Sequence, residues 1–304
     1  MEPLVGIVVL NWNNLEDSVD CIESLERIEY SNYKIIFVDN GSNDNSPKEI
    51  KKKFQDITVI ENGENLGFSA GNNVGIRKAL EYGAEYVLVL NNDSIVARDF
   101  LTILVDSMEK NNEIGVIGPK VLNENNEILK VCARNKIGFL ENIFVPNYNS
   151  FAKIWPNNPI ARRHFYNGYK FDEIKEVYTI SGSCMLFRKE VFDEIGLLDE
   201  NVFLYQEENI LAEKIKKTNF KIVINPVAIV HHKGAKSTKT VRAFSFKHAA
   251  RSQIYFCKKY LGINAFSLFF MKSMLLLNYG IRCIRGKDFR LQFKDFIRDV
   301  IVEG

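Results

Sequence analysis

Short apolar runs alternate with amphipathic stretches through the first third of the chain. Runs at 5–10, 35–38, 57–60 and 86–90 have strand length, and the stretches between them carry helical periodicity. In the first connection Leu15, Val19, Ile22 and Leu25 share one helical face, and in the fourth Leu101, Leu104, Val105 and Met108 do the same. This βαβ rhythm predicts a parallel sheet covered by helices. Past Pro119 the pattern loosens. Residues 138–176 hold aromatics, prolines and arginines without a period, which predicts an irregular insertion that binds an acceptor or acts as a lid. Regularity returns with strands at 177–180, 184–187, 222–224 and 227–230, a short helix from Lys189, and a helix at 207–218.

In open parallel sheets, ligands sit beyond the carboxyl ends of the strands. The residues at those ends are Asn11-Trp12-Asn13, Asp39-Asn40-Gly41-Ser42 and Asn91-Asn92-Asp93. Each cluster alone is also a set of ordinary turn formers; it is their convergence on one crevice that gives them a chemical reading. Asp93 follows a fully apolar strand, where a carboxylate can bind a hard divalent cation whose other positions go to water and diphosphate oxygens. His232 ends the apolar strand at 227–230, and an imidazole beside a carboxylate suits Mn²⁺ better than Mg²⁺. The adjacent His231 competes for that role, and an ordinary strand-end histidine is the bland alternative. Asp39 can accept the imide proton of uracil or thymine, or close an Asx-turn on Ser42 or Asn43, or both.

The stretch from Asn65 through Gly67, Gly71 and Asn72 to Asn73 has neither GxGxxG nor GK[ST] spacing, yet it begins a helix. Glycines there let backbone and Asn amides approach a ligand, which suits a wall of a nucleotide pocket. Glu207 and Glu208 open another helix. A carboxylate at that place can take a proton from an attacking hydroxyl, and a helix N-terminus keeps it ionised near neutral pH; first-turn Glu residues are also common helix starters.

Composition narrows the class. A chain of 304 residues, 46% hydrophobic and 26% charged, suits one enlarged α/β domain with an appendage. Cys21, Cys132, Cys184, Cys257 and Cys283 are scattered without a CxxC pair, which argues against a disulfide framework or zinc knuckle and for a reducing compartment. The first residues do not read as a secretory signal, so a cytoplasmic location is expected. The net charge of +2 hides a division: from Lys233 onward there are 15 Lys and Arg against 4 Asp and Glu, and before it 25 against 34. So basic a tail calls for a polyanionic partner. Within it, residues 261–281 carry the single charge of Lys272, between Lys258 and Lys259 on one side and Arg282, Arg285 and Lys287 on the other. Lys272, Gly262, Asn264, Asn278 and Gly280 make crossing a bilayer costly, which favours lying on the anionic inner face of a membrane; so much aliphatic bulk argues against nucleic acid. The competing reading is a helix packed on the body or on a second copy in a homodimer.

The blocks Val8-Val9-Leu10-Asn11-Trp12-Asn13, Val38-Asp39-Asn40-Gly41-Ser42, Asn65-Leu66-Gly67-Phe68, Gly71-Asn72-Asn73, Leu90-Asn91-Asn92-Asp93, Ser181-Gly182-Ser183-Cys184-Met185 and Gly196-Leu197-Leu198-Asp199-Glu200, with Pro226 and His232, occur in an order that resembles glycosyltransferase family 2, most closely its rhamnosyltransferase-like branch. The resemblance implies a GT-A type, Rossmann-like mixed sheet flanked by helices over residues 1–240, and a C-terminal helical appendage at 241–304. It implies an inverting, metal-dependent hexosyl- or rhamnosyltransferase using a UDP- or dTDP-sugar, with a sugar or lipid-linked saccharide as acceptor, in cell-surface polysaccharide or glycoconjugate synthesis. By it, Asp39 contacts the base; Asn11, Asn13, Asn40, Asn65, Gly67, Gly71, Asn72 and Asn92 line the nucleotide-sugar pocket; and Asp93 with His232 holds Mn²⁺ or Mg²⁺. Glu208 is the base beside Glu207, and Asp199 faces the acceptor. The chain departs from the family pattern at Glu208 and Ile210, where Asp is usual, and at Lys214, where Arg is usual. The implied alternative is a catalytically impaired nucleotide-sugar-binding protein of the same fold. A dehydrogenase would want Gly after the first strand and a nucleotidyltransferase a Gly-rich, basic loop, where this chain has Asn11-Trp12-Asn13.

Overall fold

A computed structural model describes residues 2–129, 131–139, 141, 155, 158–166, 171–234 and 242–304. The four early runs form β1 (Val5–Asn11), β2 (Tyr33–Asp39), β3 (Thr58–Glu61) and β4 (Tyr86–Asn91), with α1 (Leu15–Leu25), α2 (Ser46–Lys53) and α3 (Phe68–Glu81) between them. β1 pairs in parallel with β2 on one side and β4 on the other, and β2 pairs in parallel with β3. The chain thus leaves β1 in one direction and returns on its far side, which opens a crevice beyond the carboxyl end of β1.

Beyond β4 come β5 (Ser94–Val96), α4 (Phe100–Lys110), β6 (Ile114–Leu122), β7 (Ala133–Arg134), α5 (Pro159–His164), β8 (Lys175–Glu176), β9 (Thr179–Ile180), β10 (Cys184–Arg188), α6 (Lys189–Ile195), α7 (Glu207–Ile215) and β11 (Lys221–His232). Among the described residues the main sheet runs β3-β2-β1-β4-β10-β6-β11-β5, with β8 also on β11. β10 is antiparallel to both β4 and β6, and β5 is antiparallel to β11, so the sheet is mixed rather than parallel throughout. The apolar run of β10 is buried on both faces, and such a run says nothing of strand direction. The runs at 222–224 and 227–230 are one strand, whose register shifts between Asn225 and Ile229 around Pro226, a residue that has no N–H for the ladder. Of the strand expected at 177–180 only Thr179–Ile180 forms, as β9, which pairs with β7 in a separate ribbon; β8 lies just before it. Of the irregular insertion expected at 138–176, much lies outside the described residues.

Alternation along the strands separates two cores. Ile7, Val9, Leu88 and Leu90 meet Ile22 and Leu25 of α1 and Leu101 and Leu104 of α4 on one face. Val8, Ile36, Val38, Val87 and Val89 meet Ile76 and Ala79 of α3 on the other. α3 lies unusually close to the sheet: a Cβ on Gly75 would sit 2.3 Å from Val8 Cγ1 and 3.0 Å from Val38 Cγ2.

The tail folds as α8 (Arg242–Lys259), α9 (Ala265–Arg285), α10 (Lys287–Leu291), α11 (Phe293–Phe296) and a π-helical turn (Ile297–Val302). Its core of Phe246, Ile254, Met271, Leu275, Tyr279, Phe289, Phe296 and Val300 also takes in Ile137, Val202 and Ile210 of the body. The packing reading thus describes one side of α9. No helix among the described residues is long and apolar enough to cross a membrane.

Gly75→Ala gains helix propensity but must push a methyl into stiff, buried Val8. Urea unfolding should show a net loss of roughly 1–3 kcal/mol, where an exposed helical glycine would give a gain.

Candidate active site

Strand register assembles the first part of the site. Asn11 stands opposite Asp39 across β1 and β2, and Leu10 stands opposite Asn91 across β1 and β4. Asn11 Nδ2 donates to Asp39 Oδ1 at 3.0 Å and to Ser42 Oγ at 3.1 Å. Ser42 N donates to Asp39 Oδ2 at 2.9 Å, closing the expected Asx-turn. Asn92 Nδ2 donates to Asn11 Oδ1 at 3.0 Å and to Ser18 Oγ at 2.8 Å, so Asn11 links the ends of β2 and β4. Asn13, in the left-handed region at φ 52°, holds the same turn by accepting from Asn43 N at 2.7 Å.

The wall from Asn65 to Asn73 is held from within. Asn40 Nδ2 donates to Asn65 Oδ1 and to the Gly67 carbonyl, and Asn40 Oδ1 accepts from Leu66 N. Gly67 has φ +83°, and a Cβ there would lie 2.3 Å from the Phe203 carbonyl oxygen. Gly71 lets α3 approach Leu10 and Asn40. Asn72 donates to the Phe68 carbonyl, leaving its buried Oδ1 without a hydrogen-bond partner. Asn73, outside the expected set, exchanges hydrogen bonds with Leu198 and donates to Glu200 Oε1, fastening the 198–200 loop to α3.

Asp93 is 6% exposed in the turn between β4 and β5. Because β11 lies antiparallel to β5 with His232 opposite Ser94, His232 Nε2 comes within 3.0 Å of Asp93 Oδ1. His231, one residue along the strand, stands opposite Ile95 and points to the other face. Lys233 Nζ lies 3.0 Å from Asp17 Oδ1 and 2.6 Å from Asp20 Oδ2. Burial disfavours its charge, but these two carboxylates more than offset that and raise its pKa. Among the described residues no group of three or more His, Cys, Asp and Glu is placed to hold a metal. One carboxylate and one imidazole do fit a cation whose other positions are supplied by a diphosphate and water.

The acidic pair reaches the crevice through the turn before β10. Gly182 N donates to Glu208 Oε1 at 3.1 Å, and the next carbonyl, of Ser183, accepts from Asn91 N at 2.9 Å. Arg134 Nη2 lies 3.2 Å from Glu208 Oε1, both side chains being largely buried. Arg134 was not anticipated, since it comes from the region past Pro119 where the pattern loosens. Glu207 behaves differently from the expectation for a helix N-terminus: burial, and then the charge of Glu208, push its pKa up to about 8, and its buried Oε2 has no hydrogen-bond partner. Near neutral pH Glu207 is mostly protonated. Tyr205 and Gln206, just before the pair, have φ of 68° and 72°, a strained conformation for non-glycine residues.

Asp199 lies at the junction of body and tail. It accepts from Tyr260 Oη at 2.6 Å, Tyr255 Oη at 2.9 Å, Asn201 Nδ2 at 2.6 Å and Asn201 N at 3.0 Å. Burial alone would raise its pKa, but these donors hold it well below the usual carboxylate range. The carboxylate expected to face an acceptor is therefore already engaged by α8 and the residues just after it.

Comparison with known proteins bears on the family and the fold. Residues 6–196 match the family model described as glycosyl transferase family 2. The chain is 23% identical over 237 residues to the N-acetylglucosaminyl-diphospho-decaprenol L-rhamnosyltransferase of Mycobacterium tuberculosis, covering 75% of this chain and 76% of that protein. It is 26% identical over 281 residues to the low-salt glycan biosynthesis hexosyltransferase of Haloferax volcanii, covering 90% and 79%. Its fold is shared with a mannosyltransferase from Pyrobaculum calidifontis solved in complex with GDP-Man and Mn²⁺, at a TM-score of 0.59 and 14% identity, over 97% of this chain and 80% of that one.

A carboxyl whose pKa is higher in the folded than in the unfolded state contributes stability at low pH that is lost as pH rises. For Glu207 the loss falls between its ordinary value of 4.5 and about 8. Glu207→Gln should flatten the fall in melting temperature from pH 5 to pH 8 and raise it at pH 8 by on the order of 5 °C. An unchanged pH dependence would show that Glu207 is not held protonated.

Proposed function

The chain belongs to glycosyl transferase family 2, and from that premise we propose that it moves a hexose or rhamnose from a UDP- or dTDP-sugar to an acceptor hydroxyl with inversion at the anomeric carbon. The observation that carries the reading is the short link from Glu208 through Gly182 and Ser183 to Asn91, whose Nδ2 lies 3.5 Å from Nε2 of the His232 paired with Asp93.

Asp39 uses one lone pair on each oxygen within the protein, which leaves acceptor capacity for the imide N–H of uracil or thymine. Asn11, Asn13, Asn40, Asn65, Gly67, Gly71, Asn72 and Asn92 shape the pocket for the nucleotide sugar. Asp93 and His232 would hold Mn²⁺ or Mg²⁺, which when bound supplies positive charge against the departing diphosphate. Glu208, paired with Arg134, takes the proton of the acceptor hydroxyl. Glu207 keeps its own proton, which spares the site a second negative charge beside Glu208. Asp199 acts on the acceptor side by anchoring the loop that leads to this pair. The acceptor is a sugar or lipid-linked saccharide at the inner face of the cell membrane, in the synthesis of cell-surface polysaccharide or glycoconjugate.

The reading of an impaired binder rests on the departures at Glu208 and Ile210. Ile210 is 1% exposed and belongs to the hydrophobic cluster shared with the tail, so a carboxylate there would be buried among apolar groups. Packing of the tail accounts for Ile210 at that position.

Turnover of UDP- and dTDP-sugars with Mn²⁺ tests the assignment. Glu208→Gln should lower turnover by about 100-fold or more while thermal stabilisation by nucleotide and Mn²⁺ persists, and Asp93→Ala should abolish both. Full turnover by Glu208→Gln would remove Glu208 as the base, and no turnover by the unaltered chain on any such donor would favour the impaired binder.

A further inference from the structure

α9 is apolar on two opposite sides. Met271, Leu275 and Tyr279 face the tail core. Phe266, Phe269, Phe270, Leu277, Ile281 and Ile284 recur at helical spacing on the opposite side and are all exposed, Phe266 by 79%, Phe269 by 70% and Ile284 by 78%. At 3.6 residues per turn they fall within an arc of about 120°. Ser273 also lies on this face, and it carries no charge. Lys272 is turned aside, its Nζ donating to the Ile301 carbonyl at 2.9 Å. The outward face of a helix that meets only water is charged or polar; a contiguous apolar stripe marks a contact surface.

Charge selects the occupant. α9 contains no acidic residue. Of the four acidic residues from Lys233 onward, Asp288, Asp295 and Asp299 already lie in ion pairs with Arg242, Arg298 and Lys247. Arg290 Nη1 donates to the Cys283 carbonyl, which places a cation at the end of the stripe beside Ile284, and Lys287 and Lys294 are exposed nearby in the chain. A second copy meeting this face by two-fold symmetry would bring basic ends together without compensating acids. An anionic lipid surface offers an apolar layer for the rings and negative headgroups for the cations.

We propose that α9 lies along the surface of an anionic bilayer, with Phe266, Phe269, Phe270, Leu277, Ile281 and Ile284 in the boundary between headgroups and acyl chains. The tail core includes Val202 and Ile210, and Tyr255 and Tyr260 hold Asp199, so docking sets the acidic helix α7 at a fixed attitude to the lipid. The inference deepens the reading of a lipid-linked acceptor and rests on it for its purpose, though its test does not.

The whole chain is floated through a density gradient with vesicles of phosphatidylcholine, alone or mixed with phosphatidylglycerol. It should rise with the mixed vesicles only, and less so in high salt. Phe269→Glu with Ile284→Glu should lower partition by more than about tenfold while donor turnover stays at the unaltered level. Equal partition onto both vesicle types, binding to neither, undiminished flotation of the double variant, or a dimer in solution that the double variant dissociates would each overturn the proposal. Intact, anionic-selective flotation by a chain that turns over no donor would uphold this inference and sink the transferase reading alone.

Discussion

Parallel pairing of β1 with β2 on one side and β4 on the other is the constraint from which the site follows. It sets Asn11 level with Asp39 and Leu10 level with Asn91, so polar residues far apart in the chain end at one height above the sheet. Asn11 then bridges them, through its donor to Asp39 and its acceptor to Asn92. A shift of a single residue in either pairing would turn these side chains to the opposite face and dissolve the network. Gly71 and Gly75 serve the same constraint from above, since α3 reaches the sheet closely enough to form a pocket wall only where no Cβ intervenes.

The second half of the site is built on unlike principles. Asp93 and His232 meet because β5 folds back antiparallel on β11, and the acidic pair meets the crevice through a turn held by Gly182. Two adjacent carboxylates in a largely buried place do not both ionise readily. Arg134 pairs with Glu208, while burial and the neighbouring Glu208 push the pKa of Glu207 up. The left-handed Tyr205 and Gln206 immediately before them indicate that local backbone preference yields here to the position the pair must occupy.

The tail extends this logic beyond the site. Its core takes in Ile210 from the helix of the acidic pair, and its tyrosines donate to Oδ2 of Asp199 in the loop leading to that helix. Body and tail are therefore coupled next to the acidic pair, and the apolar outer stripe of α9 is carried on the same framework.

The four early strands, the amphipathic helices, the clusters at the strand ends and the basic tail were legible in the sequence, because hydrophobic period, turn chemistry and charge are properties of neighbouring residues. The mixed direction of the sheet was not, since the doubly buried β10 has the same apolar run whichever way it points. His232 rather than His231 was already the expected partner of Asp93, and the register of β11 against β5 supplies the physical reason. The partnership of Arg134 with Glu208 joins residues from the region of loosened pattern past Pro119 and a helix start, and the engagement of Asp199 by Tyr255 and Tyr260 joins body to tail. Such pairings, and the protonation of Glu207 that burial brings about, depend on distances through space and on exclusion of water, quantities that exist only once the chain has folded.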